Sequence, residues 1–188
     1  MGVFGQPLPA VVARSGGESM TLANEPDRHA ARGFIAWANS LPMAKTFGVR
    51  CVDAARGHTT FTIETAPFTP NPNGAVHGGI LAAIVDHIMG VTALSVLPPM
   101  HAAVTATLTI NFLAPAEVPL TLHTRLTRQT RSLLFLESQA SSGDREVDRA
   151  FGTFVPRADY LLDRREAPPG TSAHVLEHPV IGTDSPPA

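Results

Sequence analysis

The sequence contains a single cysteine, Cys51, among its 188 residues, so no disulfide can form within the chain. A lone cysteine fits a reducing compartment, and we expect Cys51 to be a small core residue of a strand. No apolar run reaches the roughly 18–20 residues that a membrane-spanning helix needs. The first residues also lack the basic start and apolar stretch of a secretory signal. We therefore expect a cytoplasmic protein without a membrane partner.

Charge is also scarce. Charged residues make up 16% of the chain and the formal net charge is −2, whereas hydrophobic residues make up 44%. This composition is typical of a globular domain and excludes a strongly basic nucleic-acid-binding protein. We expect no nucleic-acid partner, and any site for an anion must be a local feature of the surface.

Proline, glycine and serine are concentrated at the two ends of the sequence. Residues 1–25 and 163–188 show no periodicity and are expected to be flexible tails around one domain, residues 26–162. The second tail contains His174 and Glu177-His178, an H-x-x-E-H pattern that resembles an inverted zinc-protease motif. No catalytic domain follows it, so we expect neither a metal nor a resident cofactor.

In the first part of the domain, apolar residues recur at helical spacing over residues 26–39. This spacing predicts a helix, and we expect Leu41-Pro42 to end it. Residues 78–97 are almost uninterruptedly apolar and predict one long buried helix. The strand signals are short, alternating or β-branched segments, and they are found at residues 47–54, 58–65, 104–112, 119–128, 132–141 and 147–155. Their connections are too short for crossover helices, so the sequence predicts an α+β fold with an antiparallel sheet of about six strands.

The two sides of the long helix differ in side-chain size. Bulky residues that fill a core are Leu81, Ile84, Val85, Ile88 and Val91, whereas the other side carries Gly79, Ala82, Ala83, Asp86, Gly90 and Ala93. Small residues let another backbone or a ligand come close, so we expect this side to be covered partly by a second copy of the chain. The same side carries the carboxylate of Asp86, and buried acids rarely lack a partner or a function. His87 is expected to point away from it, into the core or an interface.

A glycine-rich loop leads into this helix. Gly78 and Gly79 leave the first backbone N–H groups uncovered at the positive end of the helix dipole, where they can stabilise a developing negative charge. The competing interpretation is a tight helix entry with His77 as an ordinary cap residue. Apolar and polar residues alternate along the predicted strand 104–112, which places Thr105 on the opposite face of the strand from Val104 and Leu108.

Asn71 to Asp86, read as N-x-x-G-x-x-H-G-G-x-x-x-x-x-x-D, resembles the signature of hotdog-fold thioesterases of the PaaI-like, 4-hydroxybenzoyl-CoA thioesterase-related type. Leu41-Pro42, Phe47-Gly48-Val49 and the segment from Val104 to Pro115 are similar to theirs as well. The resemblance spans about residues 27–157. It implies a long central helix wrapped by an antiparallel sheet, a homodimer or a dimer of dimers, and hydrolysis of an acyl-CoA to a carboxylic acid and free CoA.

The resemblance also implies roles for individual residues. Asp86 is the general base or the nucleophile, the N–H of Gly78 polarises the thioester carbonyl, and Thr105 positions the water. Asn71 and His77 shape the site from the partner subunit, with Asn73 close enough to Asn71 to compete for its role. Gly79 lies against the substrate.

Arg125, Arg128 and Arg131 gather around one strand connection, either as a solvated hairpin or as a cradle for the CoA phosphates, for which we select Arg128 and Arg131. Two other activities stay open for the chain as a whole. One is a hydratase or dehydratase acting on an acyl thioester with His77 and Asp86 as a pair. The other is a non-catalytic module that binds acyl-CoA.

Overall fold

The computed structural model describes residues 25–98 and 101–158. In chain order its elements are α1 (Glu25–Ser40), α2 (Pro42–Phe47), β1 (Arg50–Ala55), β2 (His58–Ile63), α3 (Gly78–Leu94), β3 (Ala102–Phe112), β4 (Leu120–Gln129), β5 (Leu134–Ser142) and β6 (Arg145–Arg157). The strands form one antiparallel sheet in the order β1-β2-β4-β5-β6-β3. The predicted α+β fold, a long helix on a six-stranded antiparallel sheet, is confirmed. The predicted tails lie outside the described residues, apart from residue 25, and stay a prediction, as does the H-x-x-E-H pattern.

The first connection differs from the prediction. Leu41-Pro42 does end α1, but Pro42 also begins the short helix α2, because its fixed φ suits the first helical turn. Gly48 ends α2 in a left-handed conformation with φ 65°, which glycine adopts without strain. β1 therefore starts at Arg50 rather than at residue 47. The long helix is also shorter than predicted, because α3 stops at Leu94 rather than at residue 97.

The core lies between α3 and the inner face of the sheet. The largest fully buried side chains of α3 are Leu81, Ile84, Val85, Ile88 and Met89, and those of the sheet include Phe61, Leu122, Leu136 and Phe154. Burying each such side chain contributes roughly 1.5–3 kcal/mol. The bulky side of the predicted helix is thus the core side, and Cys51 is buried as expected.

The opposite side of α3 is only partly covered by the described residues. Gly79 is exposed, and Ala82, Ala83, Asp86 and Gly90 are half-buried. Ala93, which the sequence predicted for this side, is fully buried instead. The small-residue side is therefore open to a ligand or to another chain along most of its length.

A β-bulge in β3 changes the faces that its residues occupy. Thr105 pairs with Phe154 and Leu108 with Gly152, but the register shifts between Thr105 and Thr107. A bulge adds one residue to one strand and re-aims its neighbours. Thr105 consequently lies on the same, helix-facing side as Leu108, and the predicted placement of the two on opposite faces is wrong.

β3 forms one edge of the sheet, because it pairs only with β6. Within the described residues, the outer edge of this 11-residue strand has no neighbour. No helix among the described residues is long and apolar enough to span a membrane.

Candidate active site

Asp86 and Thr105 meet across the gap between α3 and β3. The hydroxyl of Thr105 donates a hydrogen bond to Oδ1 of Asp86 at 2.8 Å. The small side of α3 presents the carboxylate, and the bulge in β3 turns the hydroxyl toward it. One carboxylate oxygen is therefore held in place, while Oδ2 is left available to a ligand. The two residues that the sequence placed in one site are brought together.

Asp86 and Thr105 line a cleft of about 230 Å³ between α1, α3, β3 and β6, which we name the Asp86 cleft. Its remaining walls are mostly apolar and consist of Trp37, Leu41, His87, Gly90, Val91, Leu94, Ala103 and Phe154. Clefts that are mainly apolar with few polar groups are typical binding sites for small molecules. His87 also borders this cleft, but its Nε2 is buried, as expected of a side chain that points into the core.

The amino end of α3 presents free backbone donors. Its first helical hydrogen bond runs from the N–H of Leu81 to the carbonyl of His77 at 2.9 Å, and no side chain caps the helix. The N–H groups of residues 78–80 therefore precede the first helical bond. His77 occupies the N-cap position but is exposed and makes no capping bond, so the interpretation of its side chain as an ordinary cap does not apply.

The two glycines of this helix start differ in their surroundings. A Cβ on Gly78 would lie 3.3 Å from the ring of Phe112, whereas a Cβ on Gly79 would have nothing within 4 Å among the described residues. Gly78 thus permits the close approach of Phe112. Gly79 faces open space, where a substrate or a second chain has room to contact the backbone.

Asn71 folds the loop before α3. Its Oδ1 accepts hydrogen bonds from the N–H groups of Asn73 at 2.9 Å and Ala75 at 3.1 Å. Gly74, with φ 82°, completes the turn through its N–H bond to the Asn71 carbonyl at 2.9 Å. The Oδ1 of Asn71 is therefore already hydrogen-bonded within the loop, and only its amide NH₂ remains for a ligand. Asn73 is exposed at the turn.

Gly78 and Asp86 are eight residues apart on one helix. With a rise of 1.5 Å per residue, they are separated by about 12 Å along the axis. A single thioester carbonyl cannot contact both the Gly78 N–H and the Asp86 carboxylate of the same chain. One chain therefore does not assemble all of the predicted site residues.

Arg128 and Arg131 lie near the hairpin between β4 and β5 and are exposed. Neither forms an ion pair within the described residues, whereas Arg125 pairs with Glu137. Across the sheet, Leu134 at the start of β5 pairs with Phe154, which pairs in turn with Thr105. Two strand spacings, roughly 10 Å, thus separate the base of this hairpin from the Asp86 cleft.

A second, smaller cleft of about 120 Å³ lies on the outer face of the sheet, away from Asp86. It is lined by His58, His123, Thr124, Arg125, Glu137 and Gln139. Arg149 also pairs with Glu137 at 3.0 Å, so charge on this face is largely neutralised. Nowhere in residues 25–98 and 101–158 do three or more His, Cys, Asp or Glu side chains gather as a metal site.

The sequence interpretation missed one further acid, Asp148 of β6. It is fully buried, and neither carboxylate oxygen makes a hydrogen bond of good geometry within the described residues. Burial raises the pKa of Asp148 to about 6, the backbone N–H of Ala140 partly opposes this, and the charge of Glu146 adds to it. Asp148 is separated by even numbers of residues from Ala150 and Phe154, which face the core. In a strand this spacing places Asp148 on the same face, so its burial could have been predicted from the sequence.

Comparison with known proteins agrees with this architecture. Residues 73–148 match the family model of the thioesterase superfamily. A thioesterase family protein from Silicibacter pomeroyi superposes with a TM-score of 0.62 at 21% identity, covering 67% of this chain and 96% of that one. A Streptococcus mutans protein bound to acetyl-CoA gives 0.52 at 24% identity, with coverages of 57% and 87%. A hypothetical thioesterase protein from Streptococcus pneumoniae with coenzyme A gives 0.52 at 23% identity, with the same coverages.

No curated protein matches the sequence. The structural likenesses establish the hotdog fold, and the family match covers the loop before α3, the helix itself and the strands up to β6. The predicted resemblance to hotdog-fold thioesterases is therefore confirmed.

Proposed function

We propose that this protein is a cytoplasmic acyl-CoA thioesterase that hydrolyses an acyl-CoA to a carboxylic acid and free CoA, without a metal or cofactor. The observation that carries the proposal is the half-buried carboxylate of Asp86, held by Thr105 in the wall of an apolar cleft. These residues lie within the segment that matches the thioesterase superfamily. The relatives with coenzyme A or acetyl-CoA bound support a CoA ester as the ligand.

In the proposed reaction the acyl group occupies the Asp86 cleft with its carbonyl carbon near Asp86. Thr105 holds Oδ1, so Oδ2 either removes a proton from the attacking water or attacks the thioester carbon directly. Both routes break the bond between the acyl carbon and sulfur, and CoA leaves as the thiol after taking up a proton. On the second route water then hydrolyses the mixed anhydride formed with Asp86, which releases the carboxylic acid and restores the carboxylate. Fixing one oxygen favours both routes because the other oxygen is then oriented in advance.

The N–H of Gly78 is the proposed donor to the oxyanion. Its position at the positive end of α3 suits a charge that develops only in the transition state. Since about 12 Å separates it from Asp86 of its own chain, it acts on the site that contains Asp86 of a second copy. His77, Asn71, Asn73 and Gly79, which lie around this helix start, then shape the wall of the composite site.

A homodimer, alone or paired into a tetramer, supplies that second copy. The free edge of β3 exposes unpaired backbone groups and carries Val104 and Phe112, residues that are 39% and 55% exposed. Exposed edges of this length invite pairing with another strand. Antiparallel pairing of two β3 strands brings the uncovered, small-residue sides of the two α3 helices toward one another.

The CoA part of the substrate requires positive charge, which the chain as a whole lacks. Arg128 and Arg131 are exposed, form no ion pairs within the described residues, and lie near the hairpin about two strands from the cleft. We therefore assign the CoA phosphates to these two guanidinium groups.

The experiment that tests the proposal measures free thiol released from a panel of acyl-CoAs, with hydration of an enoyl-CoA measured beside it. Thiol release that depends on Asp86 supports the thioesterase. Hydration without thiol release indicates the hydratase, and binding without either reaction indicates the non-catalytic module.

A further inference from the structure

Phe112 places an aromatic ring beside the proposed oxyanion donor. It is the last residue of β3, and its ring packs against the backbone of Gly78, where a Cβ would lie 3.3 Å from the ring. The ring is therefore turned toward α3, yet Phe112 is 55% exposed. One side of the ring contacts the start of the helix, and much of the remainder is uncovered within the described residues.

This contact restrains a backbone that is otherwise free to move. Glycine has more accessible backbone conformations than other residues, and Gly78 is the first residue of α3, where the N–H group has no helical partner. The hydrogen bond from Leu81 to the carbonyl of His77 holds the Gly78 peptide group from the helix side. The ring of Phe112 holds Gly78 from the sheet side and keeps water away from the donor. A donor that is oriented in advance and shielded from water stabilises an oxyanion more strongly.

The free edge of β3 determines which site this ring reaches. β3 has 11 residues, so antiparallel pairing with a second copy makes most hydrogen bonds when the two-fold axis passes near the middle of the strand. This register places Phe112 of one chain beside Ala103 of the other. Both residues face α3, and Ala103 lines the Asp86 cleft. Phe112 and Gly78 of one chain thus approach the same cleft of the second copy.

We propose that Phe112 is a positioning residue that acts in trans, holding the N–H of Gly78 toward the thioester carbonyl that lies at Asp86 of a second copy. This inference rests on the proposed thioesterase function and on its shared site. Because the oxyanion exists only in the transition state, loss of the ring affects kcat far more than KM.

The first test compares the kinetics of single variants. Phe112→Ala removes the ring, and we expect kcat for an acyl-CoA to fall by roughly 10–100-fold with KM little changed, part of the loss that follows removal of a whole oxyanion donor. Phe112→Met, which stays apolar and reaches nearly as far, should recover part of the loss. Phe151→Ala is the matched control, since Phe151 is 48% exposed on the outer face of the sheet, and it should keep the wild-type kcat.

Co-refolding then shows whether the ring acts in trans. In a mixed dimer of Phe112→Ala and Asp86→Asn, one site combines Asp86 of the first variant with Gly78 and Phe112 of the second. We expect about a quarter of wild-type activity, against about a twentieth or less if Phe112 acts within its own chain. Phe112→Ala co-refolded with Gly78→Pro should not exceed the average of the two variants alone, because both changes damage the same half of the shared site.

Light scattering shows whether Phe112→Ala still forms dimers. If it does not, Phe112→Val takes its place, since valine favours a strand but is too short to reach Gly78.

A Phe112→Ala variant with wild-type kcat overturns the inference. So does a failure of Asp86→Asn to restore it while Gly78→Pro and Asp86→Asn restore one another, and this result leaves the shared site standing. If neither pair recovers, the shared site and the role of Phe112 are both wrong, although Asp86-dependent thiol release still supports the thioesterase. Absence of thiol release from every acyl-CoA overturns the proposed function itself.

Discussion

Thr105 donates its hydrogen bond to Asp86 from a strand position that alternation alone assigns to the opposite face. The bulge between Thr105 and Thr107 turns the hydroxyl toward α3, where it meets Oδ1 at 2.8 Å. A defect in strand pairing thus lies directly beside the candidate catalytic carboxylate, as bulges often do near active sites.

Replacing Asp86 tests the proposed catalytic carboxylate. Asp86→Asn keeps the shape and the Thr105 contact but removes the basic oxygen, so kcat should fall by roughly 10²–10⁴ in the thiol-release assay. The fold should persist, since the carboxylate is not part of the core. Asp144→Asn, an exposed change in the turn between β5 and β6, is the matched control and should keep full activity. Near-normal turnover by Asp86→Asn would remove Asp86 from the mechanism.

Thr105 should act through its hydroxyl rather than through its size. Thr105→Val removes the hydrogen bond to Oδ1 at nearly constant volume, and we expect kcat to fall about tenfold or more, the scale of a hydrogen bond to a charged group. Thr105→Ser retains the hydroxyl and should stay within a few-fold of the wild type. Equal losses in the two variants would show that the methyl group matters instead, and the positioning role would be wrong.

Complementation between two inactive variants tests the composite site. Gly78→Pro removes the proposed oxyanion N–H while suiting the first helical position, although Phe112 must shift slightly because a Cβ there approaches its ring. Gly78→Pro and Asp86→Asn should each be nearly inactive alone. Co-refolded in equal amounts, half of the dimers are mixed and each has one intact site of two, so about a quarter of wild-type activity should return.

Recovery fails if both groups act within one chain, and this result would contradict the shared site. A protein that is a stable, fully active monomer by light scattering would contradict it as well. The activity of each variant refolded alone under identical conditions provides the baseline.

The arginines near the β4–β5 hairpin should affect binding of CoA rather than the chemical step. Arg131→Ala should raise KM for an acyl-CoA several-fold with kcat nearly unchanged, which is the pattern of a lost uniform binding contact. The effect should shrink at high salt because exposed charges are screened. Arg145→Ala, at the start of β6, is the control. An equal loss with a short thioester that lacks the nucleotide would rule out a phosphate contact.

Stability should depend on the titration of Asp148. Because its pKa rises from an ordinary 3.8 to about 6 in the folded chain, the unfolded chain releases this proton at lower pH. Between these values the folded state binds more protons, so the free energy of unfolding falls as pH rises, by on the order of 3 kcal/mol in total. Above pH 6 this loss is complete.

Asp148→Asn removes the titrating group and should raise Tm at pH 7–8 while flattening the decline between pH 4 and 6. Thermal melts across this pH range, with Asp144→Asn as the exposed control, measure both effects. A wild-type protein whose Tm rises through this interval, or a variant with the same profile as the wild type, would show that Asp148 does not control the dependence.

Local pattern in the sequence determined the elements and the identity of the central acid. The uniformly apolar run that forms α3, its division into a bulky and a small side, and the alternating strands were predictable because each depends on residues within a few positions. Asp86 was identifiable for the same reason, since a carboxylate within such a helix needs an explanation. The start of α2 at Pro42 was missed because a short helix leaves almost no periodicity.

Only the tertiary structure decided which side chains meet. The bulge in β3 depends on pairing with β6, and the paired residues Thr105 and Phe154 are about 50 positions apart in the sequence. Alternation within β3 therefore could not reveal that Thr105 faces Asp86. His87 lines the Asp86 cleft because α1, β3 and β6 close around it, and Asp148 is buried because its strand lies next to the edge strand. These contacts join distant segments, and the free energy that selects them comes from packing and register rather than from local preference.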